Sequence, residues 1–406
     1  MIKDIYASIT RPREIAAMFS IRLGSGDIKQ YKESLHELSP VLSDRDYCYA
    51  ALNKVSRSFA VVIQQLPEQL RDSVCLFYLI LRALDTLEDD MRFEESEKLP
   101  LLRSFHELIG DETWSREGIG DTADYRDLLK HYPKVAGAYN QLAKEYQDVI
   151  KDITKRMGNG MADFASRKVN TLEDYDEYCH YVAGLVGHGL SGLFSASGLE
   201  SAYLKDQLKI SNSMGLFLQK TNIIRDYHED LFLGRSFWPS EVWKQYADHF
   251  DQFANAPDSP ESLACLNHLV SDALRHIPDC IQYMRLLQNK QIFRFCAIPQ
   301  VMAMATLAEV YNNPKVFTGV VKIRKGLAAR LMLHTRNMDE VMKSFKKFLR
   351  IIESKMNSND PHTPHMQIQL ASIYQLIEQY ESSDNQLQIL TLQYSSASGV
   401  IVEQEA

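Results

Sequence analysis

The sequence predicts an all-α protein that folds as a single domain of roughly ten or more helices. Helix-breaking residues are sparse, because 18 glycines and 13 prolines in 406 residues fall below their usual combined share of about 12%. Apolar residues recur at the helical spacings i, i+3, i+4 and i+7 in most segments. The alternating pattern of a half-buried strand is nearly absent.

Polar segments rich in turn-forming residues separate the predicted helices. They are GSGD (24–27), GDETWSREGIGDTAD (110–124), RSFWPSE (235–241), NAPDSPES (255–262) and NSNDPHTPH (357–365). Between them the apolar spacing predicts helices over residues 74–90, around 182–189, over 212–231 and over 295–311. The last of these contains Pro299, Gln300 and Glu309, and this predicts a buried core helix and not a membrane span.

We expect the chain to divide into four parts. They are an N-terminal segment (1–39), a main helical domain (40–340), a C-terminal helical extension (341–382) and a tail (383–406). The end of the tail, NQLQILTLQYSSASGVIVEQEA, has no helix-specific pattern, so we expect it to be poorly ordered.

Charge and cysteine usage exclude several classes of function. The net charge is -8 and no dense run of Lys and Arg occurs, which argues against a nucleic-acid partner. The six cysteines are scattered and form no CxxC pair, so neither a zinc ribbon nor a redox motif is indicated. We expect a reducing compartment, because the N-terminal stretch also lacks the apolar core of a secretory signal.

Four carboxylates crowd the end of the helix predicted over 74–90, in the segment RALDTLEDDMR (82–92). On that helix Arg82, Asp85 and Asp89 fall on one stripe, with Glu88 near its edge. Carboxylates one turn apart repel each other unless a cation lies between them. The segment is therefore a candidate site for a hard cation such as Mg²⁺, which binds carboxylates, water and phosphates.

A second polar stripe runs through the apolar segment SMGLFLQKTNII and into RDYHED (225–230). On a helix over 212–231 its members repeat at i, i+3, i+7 and i+11; they are Gln219, Asn222, Asp226 and Asp230. If the two acidic helices face each other, their Asp residues converge on one cavity suited to Mg²⁺ and a diphosphate. Arg57, Arg82 and Arg225 could add positive charge there.

A solvated helix face is the competing interpretation of each acidic cluster. Two D-x-x-x-D clusters, each on an otherwise apolar helix and each beside an arginine, favour the metal site instead.

Seven blocks, in order, resemble the squalene synthases of the squalene/phytoene synthase family. They are VSRSFA (55–60), LILRALDTLEDDM (79–91), YCHYVAGLVG (178–187), SMGLFLQKTNIIRDYHED (213–230), FWPSEVW (237–243), FCAIPQVMA (295–303) and KIRKG (322–326). The resemblance implies that the main domain is a catalytic isoprenoid-synthase helical fold around a central cavity. It also implies a two-step reaction that begins sterol synthesis. Two farnesyl diphosphates condense head to head to presqualene diphosphate, which NADPH then reduces to squalene.

The resemblance implies a role for each residue that matches a block. Implied Mg²⁺ ligands are Asp85, Glu88, Asp89, Asp226 and Asp230. Implied catalytic residues are Tyr181, in the first half-reaction, and Phe295, in the second half-site. Implied substrate contacts are Ser56, Arg57, Ser58, Phe59, Tyr78, Arg82, Gln219 and Asn222. Implied contacts with the phosphates of NADPH are Arg57, Arg82, Arg225, Lys322 and Arg324.

The implied chemistry predicts an aromatic cavity, because loss of diphosphate leaves an allylic carbocation that must be kept from water. Candidates for its lining are Phe59, Phe77, Phe217, Phe293 and Phe295. Tyr181 could assist proton removal or stabilise the cation with its ring, and the sequence leaves both roles open.

NADPH would bind without a Rossmann fingerprint, because the chain has no G-x-G-x-x-G motif after a strand. The segment KIRKG places Lys322, Arg324 and Lys325 together, with Arg330 nearby, and this suits a 2′-phosphate or pyrophosphate. A basic helix end without a ligand is the alternative.

The resemblance also implies a location. Family members usually end in a hydrophobic anchor that holds them on the cytosolic face of the endoplasmic reticulum membrane, whereas this sequence ends in SGVIVEQEA. We expect an anchor in a longer native chain, contact of that chain with the membrane surface, and a soluble monomer for the sequence given. A homologue that never had an anchor is the alternative.

Two other functions compete with the reductive synthase. Phytoene and dehydrosqualene synthases share the fold and both acidic motifs but omit the NADPH step or use other chain lengths; KIRKG and FCAIPQ argue against them. A non-catalytic helical interaction protein is the second alternative, and the paired carboxylates argue against it, because a scaffold has no use for them.

Overall fold

The structure is a computed structural model that describes residues 14, 16, 17 and 33–398, without the side chains of residues 57, 58 and 383–398. Within these residues all regular structure is helical and no β-strand occurs, so the all-α prediction is confirmed. Most of the N-terminal segment 1–39 lies outside the described residues.

The first half of the described chain forms helices α1 to α8. They are α1 (Leu35–Leu38), α2 (Asp44–Val55), α3 (Arg57–Ile63), α4 (Glu68–Asp89), α5 (Glu95–Leu108), α6 (Ala123–Lys130), α7 (Tyr132–Asn140) and α8 (Lys144–Phe164). The central one is α4, whose 22 residues include no glycine or proline. It ends where Asp90 takes an extended backbone, and the Lys98 ammonium group donates to the carbonyls of Glu88 and Asp90 at 2.9 and 2.7 Å. These contacts fix the end of the helix that carries the first acidic motif.

The second half contains helices α9 to α20 and three short turns. They are α9 (Leu172–Cys179), a π-helical turn (His180–Gly184), α10 (Leu185–Ala196), a 3₁₀ turn (Ala202–Asp206), α11 (Leu208–Arg225), α12 (Tyr227–Phe232), α13 (Ser240–Trp243), α14 (Gln252–Asn255), α15 (Pro260–Leu274), α16 (Ile277–Leu286), α17 (Lys290–Val310), a 3₁₀ turn (Pro314–Phe317), α18 (Lys325–His334), α19 (Met338–Ser354) and α20 (Thr363–Ser398). Helix α11 packs against the π-helical turn, α10, α15, α16 and α17 and so lies at the centre of this half.

The π-helical turn joins α9 to α10 and brings the chain close to α11. A Cβ atom on Gly215 of α11 would lie 2.2 Å from the carbonyl oxygen of Ala183, so only glycine permits this approach. Single π-helical turns often mark functional sites. This turn carries Tyr181. Its residues Val182 and Ala183 form part of the wall of the central cavity.

The single helix predicted over 212–231 is wrong in one respect, because the structure divides it at Asp226 between α11 and α12. Asp226 has φ -93° and ψ 10°, and its carboxylate accepts hydrogen bonds from Nε and Nη2 of Arg225 at 2.7 and 2.6 Å. Adjacent side chains on a regular helix point away from each other. The local break allows these two neighbours to pair.

Helix α17 matches the predicted core helix. Among the described residues it is the one helix long and apolar enough to cross a membrane, but 78% of its apolar window is buried inside the protein. Core helices commonly pass this test of length and composition.

The C-terminal helix α20 extends to Ser398, well past the end expected near residue 382. After Pro364 its sequence has no proline or glycine before Gly399, so nothing in it interrupts a helix. The side chains beyond residue 382 are not described, and the four-part division of the chain stays a prediction.

All six cysteines are buried and none forms a disulfide. Burial in apolar surroundings raises the pKa of each thiol well above its ordinary value.

Candidate active site

A central cavity of about 270 Å³ lies between α4, α10, α11 and α17. Its walls are mostly apolar and include Phe59, Phe77 and Phe295. The predicted site residues that line it are Phe59, Tyr78, Arg82, Asp85, Gln219, Asn222 and Phe295. The cavity thus combines a hydrocarbon-like interior with carboxylate, amide and guanidinium groups.

Two of the five predicted aromatic lining residues do not contact this cavity. Phe217 is fully buried on the side of α11 that faces away from Leu218 and Asn222, which do line it. Phe293 lies two residues before Phe295, which is about 200° around a helix, and packs in the core instead. The prediction that these two residues line the central cavity was therefore wrong.

The first acidic motif lies at the end of α4 in a partly desolvated environment. Burial raises the pKa of Asp85 to about 6, although Arg82 at 3.5 Å acts in the opposite direction. Burial, with the charges of Asp89 and Asp85, raises the pKa of Glu88 well above its ordinary value. Crowded carboxylates of this kind are stabilised by an added cation.

The fourth carboxylate of this segment, Asp90, has a structural role. Although it is buried, hydrogen bonds from Arg92 and from the amide of Gly120 lower its pKa to about 2. It holds the turn after α4 and is separate from the candidate ligands.

The second acidic motif begins at the junction of α11 and α12. Asp226 pairs with Arg225, and Asp230 lies one helical turn further on. Burial raises the pKa of Asp230 to about 6, and the nearby charges of Asp226 and Asp89 also raise it, whereas Arg235 lowers it. Arg235 lies within 3.5 Å of both Asp89 and Asp230, so the two motifs are neighbours.

Arg235 connects the two acidic motifs and was missed in the sequence. Its Nη1 donates to Asp89 Oδ1 at 2.7 Å, and its Nη2 lies 3.5 Å from Asp230 Oδ1. It follows Gly234, whose φ of 68° favours glycine and turns the chain back towards the motifs. The one feature of the sequence that could have identified Arg235 is its position five residues after Asp230. The pattern predicted only a loop in that segment.

The carboxylates of both motifs fit Mg²⁺ in their chemistry, because hard oxygen ligands on neighbouring helices share a desolvated region. Among the residues that the structure describes, no three Asp, Glu, His or Cys side chains lie close enough to hold an ion by themselves. Mg²⁺ usually retains water and binds substrate phosphates beside one or two carboxylates, which agrees with this spacing.

A second cavity of about 400 Å³ adjoins the first, and the two share Phe59, Leu218, Asn222 and Pro299. Its cationic lining residues are Arg225, Lys322 and Lys325. Mixed apolar walls with three cations suit a phosphate-bearing organic molecule. Arg324 does not line this cavity; its guanidinium group pairs with Glu14.

Other predicted residues lie away from the two cavities. The Tyr181 ring packs against Gly160, where a Cβ would lie 2.1 Å from the ring, and near Phe164. Ser56 is buried between α2 and α3 without a side-chain cap. Glu88 lines a separate cavity of about 640 Å³ together with Arg235. The side chains of Arg57 and Ser58 lie outside the described residues.

Comparisons with known proteins point to one family. The profile described as squalene/phytoene synthase matches residues 52–326. Squalene synthase BSS of Botryococcus braunii is 50% identical over 353 residues, which cover 85% of this chain and 76% of that protein. Squalene synthase 1 of Arabidopsis thaliana is 49% identical, with coverage of 81% and 80%. A solved structure of TcSQS with a ligand matches with a TM-score of 0.81 and 46% identity, and covers 83% of this chain and 99% of that one.

Proposed function

This chain belongs to the squalene/phytoene synthase family, and from that premise we propose that it is a squalene synthase, a farnesyl-diphosphate farnesyltransferase. It joins two farnesyl diphosphates head to head and reduces the presqualene diphosphate to squalene with NADPH. The observation that carries the proposal is the central cavity, which is apolar and aromatic inside and is bordered by the first acidic motif and the amide stripe of α11.

The two acidic motifs would hold Mg²⁺ through Asp85, Glu88, Asp89, Asp226 and Asp230. Bound Mg²⁺ would neutralise the charge that develops on diphosphate as it leaves the farnesyl chain. Arg82 and Arg225 border the cavities and can bind phosphate oxygens directly. Because these interactions strengthen as charge develops, they favour ionisation over mere binding of the substrate.

The walls of the central cavity would protect the resulting carbocation. Phe59, Phe77 and Phe295 face the space in which a farnesyl chain would lie, and apolar neighbours exclude water. Gln219 and Asn222 lie on the polar side and can orient the diphosphate-bearing end. Tyr181 contacts this space only through its neighbours Val182 and Ala183, so its proposed part in the first half-reaction requires substrate to reach it.

The second cavity is our proposed place for the phosphates of NADPH. NADPH would supply the hydride of the second half-reaction. Lys322, Lys325 and Arg225 give the cavity its positive charge, and its shared wall with the central cavity brings the two binding sites together.

Product analysis tests the proposal. The protein is incubated with farnesyl diphosphate and Mg²⁺, with and without NADPH, and products are identified by mass spectrometry. Squalene only in the presence of NADPH is the expected result. Dehydrosqualene, or presqualene diphosphate in both incubations, would support the condensation step and contradict the reduction step.

We propose that the protein works at the cytosolic face of the endoplasmic reticulum membrane. We propose a monomer. Flotation with microsomes tests the first proposal, and light scattering of the purified chain tests the second.

A further inference from the structure

Glu14 contacts the basic segment KIRKG from the opposite end of the chain. Its carboxylate accepts a hydrogen bond from Arg324 Nη2 at 3.1 Å, across 310 residues of sequence. Only 4% of Glu14 is exposed. A carboxylate that is removed from water in this way depends on its cationic partner.

Gly326 makes room for this carboxylate. A Cβ atom on Gly326 would lie 2.7 Å from Cβ of Glu14 and 2.9 Å from its Oε2. Gly326 is helical in α18 and its φ is not positive, so its backbone conformation does not require glycine. The glycine that ends KIRKG is therefore explained by the close approach of Glu14.

Arg324 occupies a different position from the two lysines around it. Lys322 and Lys325 line the second cavity, whereas Arg324 contacts Glu14 and has its Nη1 3.9 Å from Glu309 at the end of α17. Residues 320–324 have no regular secondary structure. A segment without its own hydrogen-bonded structure is held in place by such tertiary contacts.

We propose that Glu14 is a positioning residue for the cofactor site: through Arg324 it fixes segment 320–326 so that Lys322 and Lys325 face the second cavity. Arg324 then acts as an anchor and not as the direct phosphate contact that the family resemblance implies. The inference rests on the proposed function, because it takes the second cavity as the binding site for the phosphates of NADPH.

Glu14→Gln tests the inference, since it keeps the size of the side chain and removes its charge. We expect KM for NADPH in squalene formation to rise about tenfold, with kcat at saturating NADPH nearly unchanged. Calorimetric binding of 2′,5′-ADP, which carries the 2′-phosphate, weakens by the same factor. Presqualene diphosphate formation without NADPH stays at the wild-type rate.

A direct contact between Arg324 and phosphate predicts the opposite effect of Glu14→Gln on the binding of 2′,5′-ADP. Loss of the competing carboxylate would then free Arg324 and strengthen the binding of 2′,5′-ADP, which would overturn the inference. The exchanged pair, Glu14→Arg with Arg324→Glu, separates the two roles further. If Arg324 is an anchor, the exchanged ion pair still holds the segment, and binding of 2′,5′-ADP is restored. If Arg324 is a direct ligand of the phosphate, the exchange removes that ligand and binding is lost.

Glu340→Gln is the matched control, because Glu340 pairs with Arg336 at 2.6 Å in an arginine–carboxylate pair away from both cavities. It should leave 2′,5′-ADP binding unchanged. Wild-type protein that neither binds 2′,5′-ADP nor oxidises NADPH would overturn the cofactor assignment together with this inference. Tight wild-type binding that Glu14→Gln leaves unchanged would overturn the inference alone.

Discussion

Single residues in the two acidic motifs divide into candidate metal ligands and structural residues. Asp85 and Asp230 are desolvated carboxylates with raised pKa, whereas Asp90, adjacent to the first motif, has a pKa lowered by the hydrogen bonds that hold the end of α4. Asp85 and Asp90, five residues apart, thus have opposite electrostatic environments. Only the desolvated carboxylates, Asp85 and Asp230, would be stabilised by an added cation.

Asp85→Asn and Asp226→Asn should each abolish both half-reactions, because each half-reaction ionises a diphosphate. We expect at least about a 100-fold loss of presqualene diphosphate formation and of its conversion to squalene, measured separately by mass spectrometry. Asp163→Asn, in a surface pair with Arg103, is the control and should retain activity. Wild-type turnover of Asp85→Asn or Asp226→Asn in either step would contradict the metal assignment.

Arg235→Gln should affect substrate and metal in opposite directions. Loss of the positive charge beside Asp89 and Asp230 makes the site more negative. The KM for farnesyl diphosphate should therefore rise, on the order of tenfold, while the Mg²⁺ concentration for half-maximal rate falls. Titration of the condensation with each component measures both effects.

Arg103→Gln, on the surface, serves as the control for Arg235→Gln and should change neither value. Changes of both constants in the same direction would show that Arg235 supports the fold more than the charge balance.

The sequence predicted the candidate ligands but not the residues that connect them, and distance along the chain explains why. Asp85 and Asp89, or Asp226 and Asp230, are related by local helical periodicity, which is visible in a short window. Arg235 lies 146 residues from Asp89, and Glu14 lies 310 residues from Arg324. Such pairs form only through tertiary packing, and one sequence contains no signal for them.

At the scale of elements, a buried charge network fixes α11 against α9 and α15. Lys220 on α11 is fully buried and pairs with Asp272 of α15 and with Asp176 of α9, the latter at 2.5 Å. Arg275 pairs with the same two carboxylates. Lys220 lies next to Gln219 of the cavity wall, so the network holds the polar stripe of α11 in its position.

Lys220→Met should lower the free energy of unfolding by about 3–5 kcal/mol, because it leaves Asp272 buried without its closest cation. Adding Asp272→Asn to this variant should recover part of the loss. Urea unfolding measures both. Lys209→Met, on the same helix but 86% exposed, should change stability by less than about 0.5 kcal/mol. An effect of equal size at both lysines would mean that helix propensity and not the network is responsible.

The elements themselves were largely predictable, since helical spacing repeats locally and few breakers interrupt it. The break at Asp226 was not predictable, because the helical spacing of the polar stripe continues across it. The aromatic walls were only partly predictable. Composition identifies aromatic residues, but helical phase separates Phe295 from Phe293.

At the scale of the whole molecule, buried histidines make the folded state sensitive to acid. Burial lowers the pKa of His276 to about 3, and the charges of Lys220 and Arg275 act in the same direction. An unfolded chain protonates this imidazole near pH 6.5, whereas the folded protein does not. Stability should therefore be retained above about pH 6.5 and lost progressively as pH falls towards 3.

His276→Gln should reduce this loss. Between about pH 6 and 4 the unfolded wild type binds one more proton at this site than the folded protein, which adds about 1.4 kcal/mol per pH unit to the slope of the unfolding free energy. Urea titrations at several pH values should show a slope smaller by that amount in the variant. An unchanged slope would mean that His276 is protonated equally in both states.

The buried cysteines have a consequence for the chemistry of the native protein over time. The thiols of Cys179, Cys265 and Cys280 are buried away from the cavities described above and resist deprotonation, so an alkylating reagent can modify them only when the surrounding helices separate. Each of these three is thus a built-in reporter of opening in its own region, whereas Cys296 lies on the wall of the central cavity and reports access to that cavity. Mass spectrometry of the modified peptides would rank these regions by how often they open, without any added label.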